Sequence, residues 1–196
     1  WEIYGMTETA CATAIKYVKN KSIESLGRPI NGSNIKIKKK KKDTVGEILV
    51  ESDCLADGYF RNKKLWKRSF LSSWFRSGDL GYIDPQNELR YMGRINESFS
   101  CGGLLVYPDE VVTILNKMPN MIDCHVVGVD HKLLGKAVGI AWIGRDISKS
   151  DVLKFARSNL PKHQWPVRLE RFKKFPLLGS GKVDRKKIAI MLEKNS

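Results

Sequence analysis

The sequence predicts an α+β fold whose first half is mostly β and whose second half mixes helices with strands. Aliphatic and β-branched runs typical of buried strands occur at 45–52, 124–130 and 137–143. Apolar residues at clear helical spacing are found in the second half, interleaved with two of these strands. The change of pattern places a domain boundary near residues 93–97.

In the first half, residues 34–42 and 45–52 are predicted to form two strands. Residues 57–60 (DGYF) indicate a turn, whereas 61–75 fit a helix or irregular structure equally well. Residues 79–92 predict a hairpin, because DPQNE has turn chemistry and separates two apolar runs.

In the second half, Pro108 suits the first turn of a helix. Its apolar face would consist of Val111, Ile114, Leu115 and Met118. Ser148 or Ser150 could cap a second helix, with a face made of Val152, Phe155, Ala156 and Leu160. A further strand is predicted at 167–175 and a helix from Arg185 onward.

The composition is that of a chain with a packed core, with 42% hydrophobic and 29% charged residues. No apolar run approaches the roughly 18 residues of a membrane span. The formal net charge is +14, and six lysines stand in the seven positions of KIKKKKK, residues 36–42. This run fits a solvated loop or an attraction to anions. No aromatic residues interleave with it, so a nucleic-acid partner is not expected.

The four cysteines are widely spaced, with no CxxC pair and no Cys/His cluster that would indicate zinc. We therefore expect reduced thiols and a cytoplasmic protein. Trp1 stands where a start methionine would, which suggests that the natural protein begins upstream.

Four motifs follow one another along the chain. They are YGMTET (4–9), WFRSGDLGYID (74–84), GRINESFSCGGLLVYPDEV (93–111) and FPLLGSGKVDRKK (175–187). Each motif alone is weak; a glycine turn before a basic helix, for example, is often plain structure. Their order resembles the adenylate-forming superfamily of acyl-CoA synthetases, peptide-synthetase adenylation domains and luciferases, over nearly the whole chain.

The resemblance implies a fold and a reaction. Residues 1–95 would be the β-rich end of the large AMP-binding domain, and 96–196 a small, mobile α+β lid domain. The family activates a carboxylic acid with ATP and Mg²⁺ to an acyl-adenylate, which a thiol of coenzyme A or of a carrier-protein pantetheine then attacks. The family's phosphate loop and most of its acyl pocket lie upstream, so this chain alone should not adenylate efficiently.

The family's nucleotide contacts would fall on Tyr4, Gly5, Thr7, Asp79 and Arg94. Tyr4 would pack against adenine, Thr7 would contact phosphate and Asp79 would accept hydrogen bonds from ribose. Arg94 would lie near the ribose and phosphate end. Without the family, Tyr4 could be ordinary core, Asp79 a turn cap and Arg94 a surface ion pair.

The remaining roles concern the metal and the two half-reactions. Glu8 would help to hold Mg²⁺, a cation suited to carboxylate oxygen, although it could also cap a helix. Lys182 would be the catalytic lysine, bridging the substrate carboxylate and the α-phosphate. Asn96 would be the hinge, and Gly102 and Gly103 would lie near the thiol.

The sequence departs from the family at several positions. Asn96 stands where Asp or Lys is usual, Glu97 where Asp is common and Ser77 where Thr is usual, while Leu104 and Leu105 replace a polar pair. The SCGGLLVYP segment resembles the SGGENVYP style of fatty-acyl, aryl and succinylbenzoyl CoA ligases, and this resemblance favours CoA over a carrier protein. Two alternatives stay open: an adenylation domain that loads a carrier protein, and a non-catalytic basic module that binds through residues 36–42.

Overall fold

The computed structural model describes residues 1–10, 12–16, 25–39 and 43–194. The chain divides into two compact units, Trp1–Ile95 and Asn96–Ser196. The predicted α+β class is confirmed, because the first unit is mostly strands and the second unit mixes helices with strands. Within the described ranges, no helix is long and apolar enough to cross a membrane.

The first unit is built mainly from strands. They are β1 (Glu2–Tyr4), β2 (Ala14–Lys16), β3 (Arg28–Pro29), β4 (Ser33–Lys38), β5 (Gly46–Ser52), β6 (Phe70–Leu71), β7 (Trp74–Ile83) and β8 (Leu89–Arg94). One antiparallel sheet has the order β1-β2-β3; a second has the order β4-β5-β7-β6, with β8 also paired to β7. The hairpin predicted at 79–92 is therefore confirmed, although its first strand already begins at Trp74.

The segment whose structure the sequence left open contains a short helix, α1 (Lys63–Arg68). Asn62 caps it, since its side chain accepts a hydrogen bond from the Leu65 amide at 3.1 Å. Trp66 points inward and packs against Phe70 and Phe75, with ring centroids 5.1 and 5.5 Å away. These ring contacts anchor the helix to β6, which contains Phe70, and to β7, which contains Phe75.

The second unit alternates strands and helices. Its elements are β9 (Phe99–Cys101), β10 (Leu104–Val106), α2 (Pro108–Leu115), β11 (Met121–His131), β12 (Gly135–Gly144), α3 (Lys149–Asn159), β13 (Pro166–Arg171) and α4 (Arg185–Lys194). Strand β12 is central: it pairs antiparallel with β11 and parallel with β13, and meets β9 at Gly135. Pro108 opens α2, as predicted, and of the two serines that could cap α3 it is Ser148 that does so.

This sheet has a hydrophobic core on each face, because successive side chains of a strand point to opposite sides. Helices α2 and α3 cover one face through Val111, Leu115, Val152 and Ala156, which pack with Val126, Ile140 and Trp142. Helix α4 covers the other face through Ile188 and Leu192, which pack with Val127, Val129 and Ala141.

Two predicted strands are shorter than expected. The strand placed at 167–175 ends at Arg171, because Phe172 and Phe175 leave the sheet and become buried in the core beneath α4. The strand placed at 34–42 ends at Lys38. Residues 40–42 of the lysine run lie outside the described residues.

Candidate active site

Three predicted nucleotide contacts meet in the first unit. The Tyr4 hydroxyl donates a hydrogen bond of 2.8 Å to Oδ2 of Asp79, across 75 positions of sequence. Nε of Arg94 lies 2.8 Å from Oδ1 of the same carboxylate. Asp79 and Arg94 are cross-strand partners in the β7–β8 pair, so the sheet register itself holds the ion pair together.

Ser77 fixes the backbone that carries this carboxylate. Its hydroxyl donates to the carbonyl of Ile48 at 2.7 Å and accepts the amide of Asp79 at 3.0 Å. Gly78 between them has φ +73°, a conformation that glycine adopts without strain. Sequence analysis noted Ser77 only as a replacement for threonine and missed this role; the SGD turn was the available signal.

Burial sets the electrostatics of the cluster. Asp79 is 3% exposed and Tyr4 is 7% exposed. Burial raises the pKa of the Tyr4 hydroxyl, and the negative charge of Asp79 raises it further, so the hydroxyl stays a donor. The side chain of Arg94 is half exposed, which leaves part of its guanidinium accessible to an anion. A carboxylate oxygen can accept more than one hydrogen bond, so Asp79 keeps acceptor capacity.

Tyr4 is also part of a hydrophobic core, with Ala14, Ile48, Val50 and Leu89. The interpretation of Tyr4 as a residue of the hydrophobic core is therefore correct for the packing of its side chain. Its contact with adenine stays a prediction.

The YGMTET motif forms a compact turn after β1. Residues Thr7–Thr9 make one turn of 3-10 helix, with Gly5 and Thr7 exposed. Thr9 is fully buried; its hydroxyl accepts the amide of Met6 at 3.2 Å and the hydroxyl of Thr13 at 2.9 Å. Sequence analysis did not single out Thr9 or Thr13, although both hold the turn in place.

Glu8 is held by a partner that the sequence did not predict. The Tyr59 hydroxyl donates to Oε1 of Glu8 at 2.6 Å. The described residues contain no group of three His, Cys, Asp or Glu side chains that could hold a metal ion. A single carboxylate nevertheless fits Mg²⁺, which commonly uses one or two carboxylates together with substrate phosphates and water.

In the second unit, Lys182 lies in a tight loop between β13 and α4. The amide of Leu178 donates to the carbonyl of Lys182 at 2.8 Å, and the amide of Gly181 donates to the carbonyl of Leu178 at 2.9 Å. Leu177 and Val183 form an antiparallel bridge at the base of this loop. Gly181 has φ +81°, and the Lys182 side chain is exposed.

Asn96 and Lys182 line one cleft of the second unit, of about 1150 Å³. His125 also lines it, with its ring 4.6 Å from that of Phe175. The pKa of His125 is lowered mainly by burial; Asp123 opposes this shift, whereas the nearby Arg185 adds to it. Its imidazole is therefore held toward the neutral form.

Gly102 and Gly103 make the two-residue turn that joins β9 to β10. Their φ angles are +57° and +85°, which a tight hairpin of this kind requires at both positions. A Cβ at Gly103 would meet nothing within 4 Å, while one at Gly102 would lie 3.0 Å from Leu134. The turn alone explains both glycines, and their proximity to a thiol stays a prediction.

Known proteins are similar to this chain in sequence and in fold. The AMP-binding enzyme family matches residues 1–60. The 2-succinylbenzoate–CoA ligase of Bacillus licheniformis is 33% identical over 194 residues, which are 94% of this chain and 40% of that protein. The ligase of the same name from Listeria monocytogenes is 28% identical over 189 residues, 94% of this chain and 39% of that protein.

Two solved structures have the same fold over almost the whole chain. The o-succinylbenzoate CoA synthetase of Bacillus subtilis, in complex with an acyl-adenylate intermediate, superposes with a TM-score of 0.86 at 26% identity, covering 95% of this chain and 40% of that one. ATP-bound MatB from Rhodopseudomonas palustris superposes with a TM-score of 0.82 at 26% identity, covering 97% and 39%.

This chain therefore spans about 40% of the length of the relatives that it matches. The family match lies at the YGMTET end, and the relatives extend the similarity through the Lys182 loop. By sequence and by fold, the chain is similar to AMP-binding enzymes over part of their length: the family matches its first 60 residues, and CoA ligases and synthetases match it almost from end to end.

Proposed function

We propose that this chain is the C-terminal part of a carboxylate–CoA ligase that uses ATP to form an acyl-adenylate and then an acyl thioester. The observation that carries the proposal is the cluster of Tyr4, Asp79 and Arg94, which three strands bring together. A buried carboxylate beside a half-exposed guanidinium suits a nucleotide, which offers hydroxyl donors next to an anionic phosphate.

In this proposal, Asp79 accepts hydrogen bonds from the ribose while Tyr4 and Arg94 hold its oxygens in place. The exposed part of Arg94 meets the ribose and phosphate end. Gly5 and Thr7 line the phosphate side of the turn after β1, where both are exposed. Glu8, oriented by Tyr59, contributes a carboxylate oxygen to Mg²⁺, which would offset the charge of the phosphates.

In the first half-reaction, the formation of the acyl-adenylate, Lys182 is the catalytic residue. The attacking carboxylate and the α-phosphate are both anionic, so a cation placed between them stabilises the charge that builds up during attack. A mobile ammonium on an exposed loop can approach both groups. We further propose that Trp1–Ile95 is the end of the large domain, and that the second unit is a lid that turns at Asn96.

The second half-reaction would use coenzyme A. The names of the curated relatives favour CoA over a carrier protein, and they make 2-succinylbenzoate the first acid to test. Gly102 and Gly103 would let the pantetheine arm pass close to the backbone, because neither carries a side chain.

The test measures the two half-reactions separately in the whole protein that contains this chain. Adenylation is followed by acid-dependent exchange of pyrophosphate into ATP, and thiolation by the reaction of preformed acyl-adenylate with CoA. We expect Lys182→Ala to slow adenylation by about 100- to 1000-fold, the usual effect of losing one preorganised charge-stabilising group, and to spare thiolation. Lys174→Ala, which removes an exposed lysine before the loop, is the matched control. Equal loss of both steps would reject the role of Lys182.

A further inference from the structure

Arg185, the first residue of α4, joins three segments of the second unit. Its Nη1 donates to Oε2 of Glu97, and its Nη2 donates to Oδ1 of Asp109 at 2.9 Å. Glu97 directly follows Asn96, and Asp109 lies in the first turn of α2. These contacts span 88 and 76 positions of sequence, so neither follows from local structure.

The position of this arginine is unfavourable for its own helix. The N-terminus of a helix carries a partial positive charge that disfavours a cation, and the first turn of α4 contains no acidic residue. Asp109, by contrast, is well placed at the N-terminus of α2. The two ion pairs therefore account for Arg185 better than helix stability does, and the rigid fork of a planar guanidinium suits two separate carboxylates held in fixed directions.

The same arginine follows closely on the candidate catalytic lysine. Three peptide units separate Lys182 from Arg185, so their Cα atoms lie within about 10 Å of each other. Between them, Val183 closes the base of the loop, and the Asp184 side chain accepts the amide of Lys187 at 3.0 Å. Fixing Arg185 thus fixes the end of the loop that presents Lys182.

We propose that Arg185 is a positioning residue that makes the Lys182 loop move as one body with Glu97 and the hinge beside it. Turning at Asn96 then delivers Lys182 in one defined orientation, since the loop cannot tilt independently of the hinge. The catalytic consequence of this inference rests on the proposed function. The mechanical coupling of the Lys182 loop to Glu97 is a property of the second unit alone.

The first experiment measures the coupling between the Lys182 loop and Glu97 without an activity assay. Hydrogen exchange is compared in the whole protein that contains this chain and in its Arg185→Gln variant, at the amides of Leu178 and Gly181, which close the loop. We expect these two amides to exchange at least about tenfold faster in the variant, with the amides of β12 unchanged. Lys187→Gln removes one exposed positive charge two residues further on and should change neither. Unchanged exchange of the loop amides in Arg185→Gln would overturn the proposal.

The second experiment measures both half-reactions in the whole protein. Arg185→Gln should lower kcat of adenylation about 10- to 30-fold, with KM for ATP and thiolation of acyl-adenylate changed less than twofold. Arg185→Lys, which keeps a cation near Glu97 and Asp109, should lose less activity than Arg185→Gln. Equal loss in both steps with a lowered Tm would show a merely structural role and overturn the proposal. Failure of Lys182→Ala to impair adenylation would instead refute the proposed function. The hydrogen-exchange data would still test whether Arg185 couples the Lys182 loop to Glu97.

Discussion

Removing the Asp79 carboxylate should destabilise the first unit by an amount that depends on whether the Tyr4 hydroxyl keeps a hydrogen-bond acceptor. In Asp79→Ala the buried hydroxyl of Tyr4 loses its acceptor, which costs about 1–3 kcal/mol. The ion pair with the half-exposed Arg94 adds only about 0–1 kcal/mol, because that guanidinium can turn to water. The expected loss is about 1–4 kcal/mol of unfolding free energy.

Asp79→Asn separates these two contributions. The amide oxygen of asparagine still accepts from Tyr4, so only the ion pair is lost and the expected cost is about 1 kcal/mol or less. Tyr4→Phe removes the donor and leaves a buried carboxylate, at a cost of about 1.5–3 kcal/mol. Because the two residues share one hydrogen bond, combining Tyr4→Phe with Asp79→Ala should cost clearly less than the sum of the single changes.

The assay is hydrogen exchange with mass spectrometry in increasing urea. Peptides from β7 and β8 report the first unit, and peptides from β11 and β12 serve as an internal reference, since two units need not unfold together. Asp57→Asn, at an exposed aspartate of the same unit, is the control. Additive losses in the double variant, or an Asp79→Asn as damaging as Asp79→Ala, would refute the reasoning.

Three further predictions concern the second unit. Because His125 has a lowered pKa, the unfolded chain binds its proton first as the pH falls. The contribution of His125 to the unfolding free energy should therefore be complete above about pH 6.5 and decline below it. Urea titrations at about pH 7.5, 6.5 and 5.5 measure this decline. The part of the decline that comes from this position should be absent in His125→Gln. Gly139→Ala would place a Cβ 2.8 Å from Val129 and 2.9 Å from Leu192, so denaturant melts should show a loss of about 1–3 kcal/mol; an unchanged midpoint would contradict the tight packing. Asn96→Pro should slow thiolation by restricting the hinge while the free energy of unfolding changes little, and unchanged kinetics in both half-reactions would reject Asn96 as the hinge.

Elements with strong local signals were predictable. The β-branched run at 45–52 gave a strand, and Pro108 and Ser148 marked the starts of two helices, because these residues act through their immediate neighbours. The local pattern at 61–75 fitted a helix or irregular structure equally well, and the packing of Trp66 against Phe70 and Phe75 becomes visible only in the folded unit. The fold class could be predicted from such local patterns. The end of β13 could not, because it depends on a hydrophobic core that forms only when α4 packs on the sheet.

The candidate site shows the same division. Glycines and single charged residues were visible as motif positions, and the family resemblance assigned them roles. The partners that hold them were invisible, because Tyr59 reaches Glu8 and Arg185 reaches Glu97 only after distant segments have folded together. Supporting residues such as Thr9 and Ser77 are small and polar, and nothing in their local sequence distinguishes them from ordinary turn residues.

The two-sided sheet of the second unit has a consequence for how that unit opens. Helix α4 shields its own face of the sheet, separate from the core under α2 and α3. Peeling α4 away would expose Val127 and Val129 yet leave Trp142 covered, so a partly opened form should be accessible at less than the full free energy of unfolding. Lys182 precedes that helix directly and would be released with it. The layer that covers the smaller of the two cores is thus also the layer that follows the candidate catalytic lysine in the sequence.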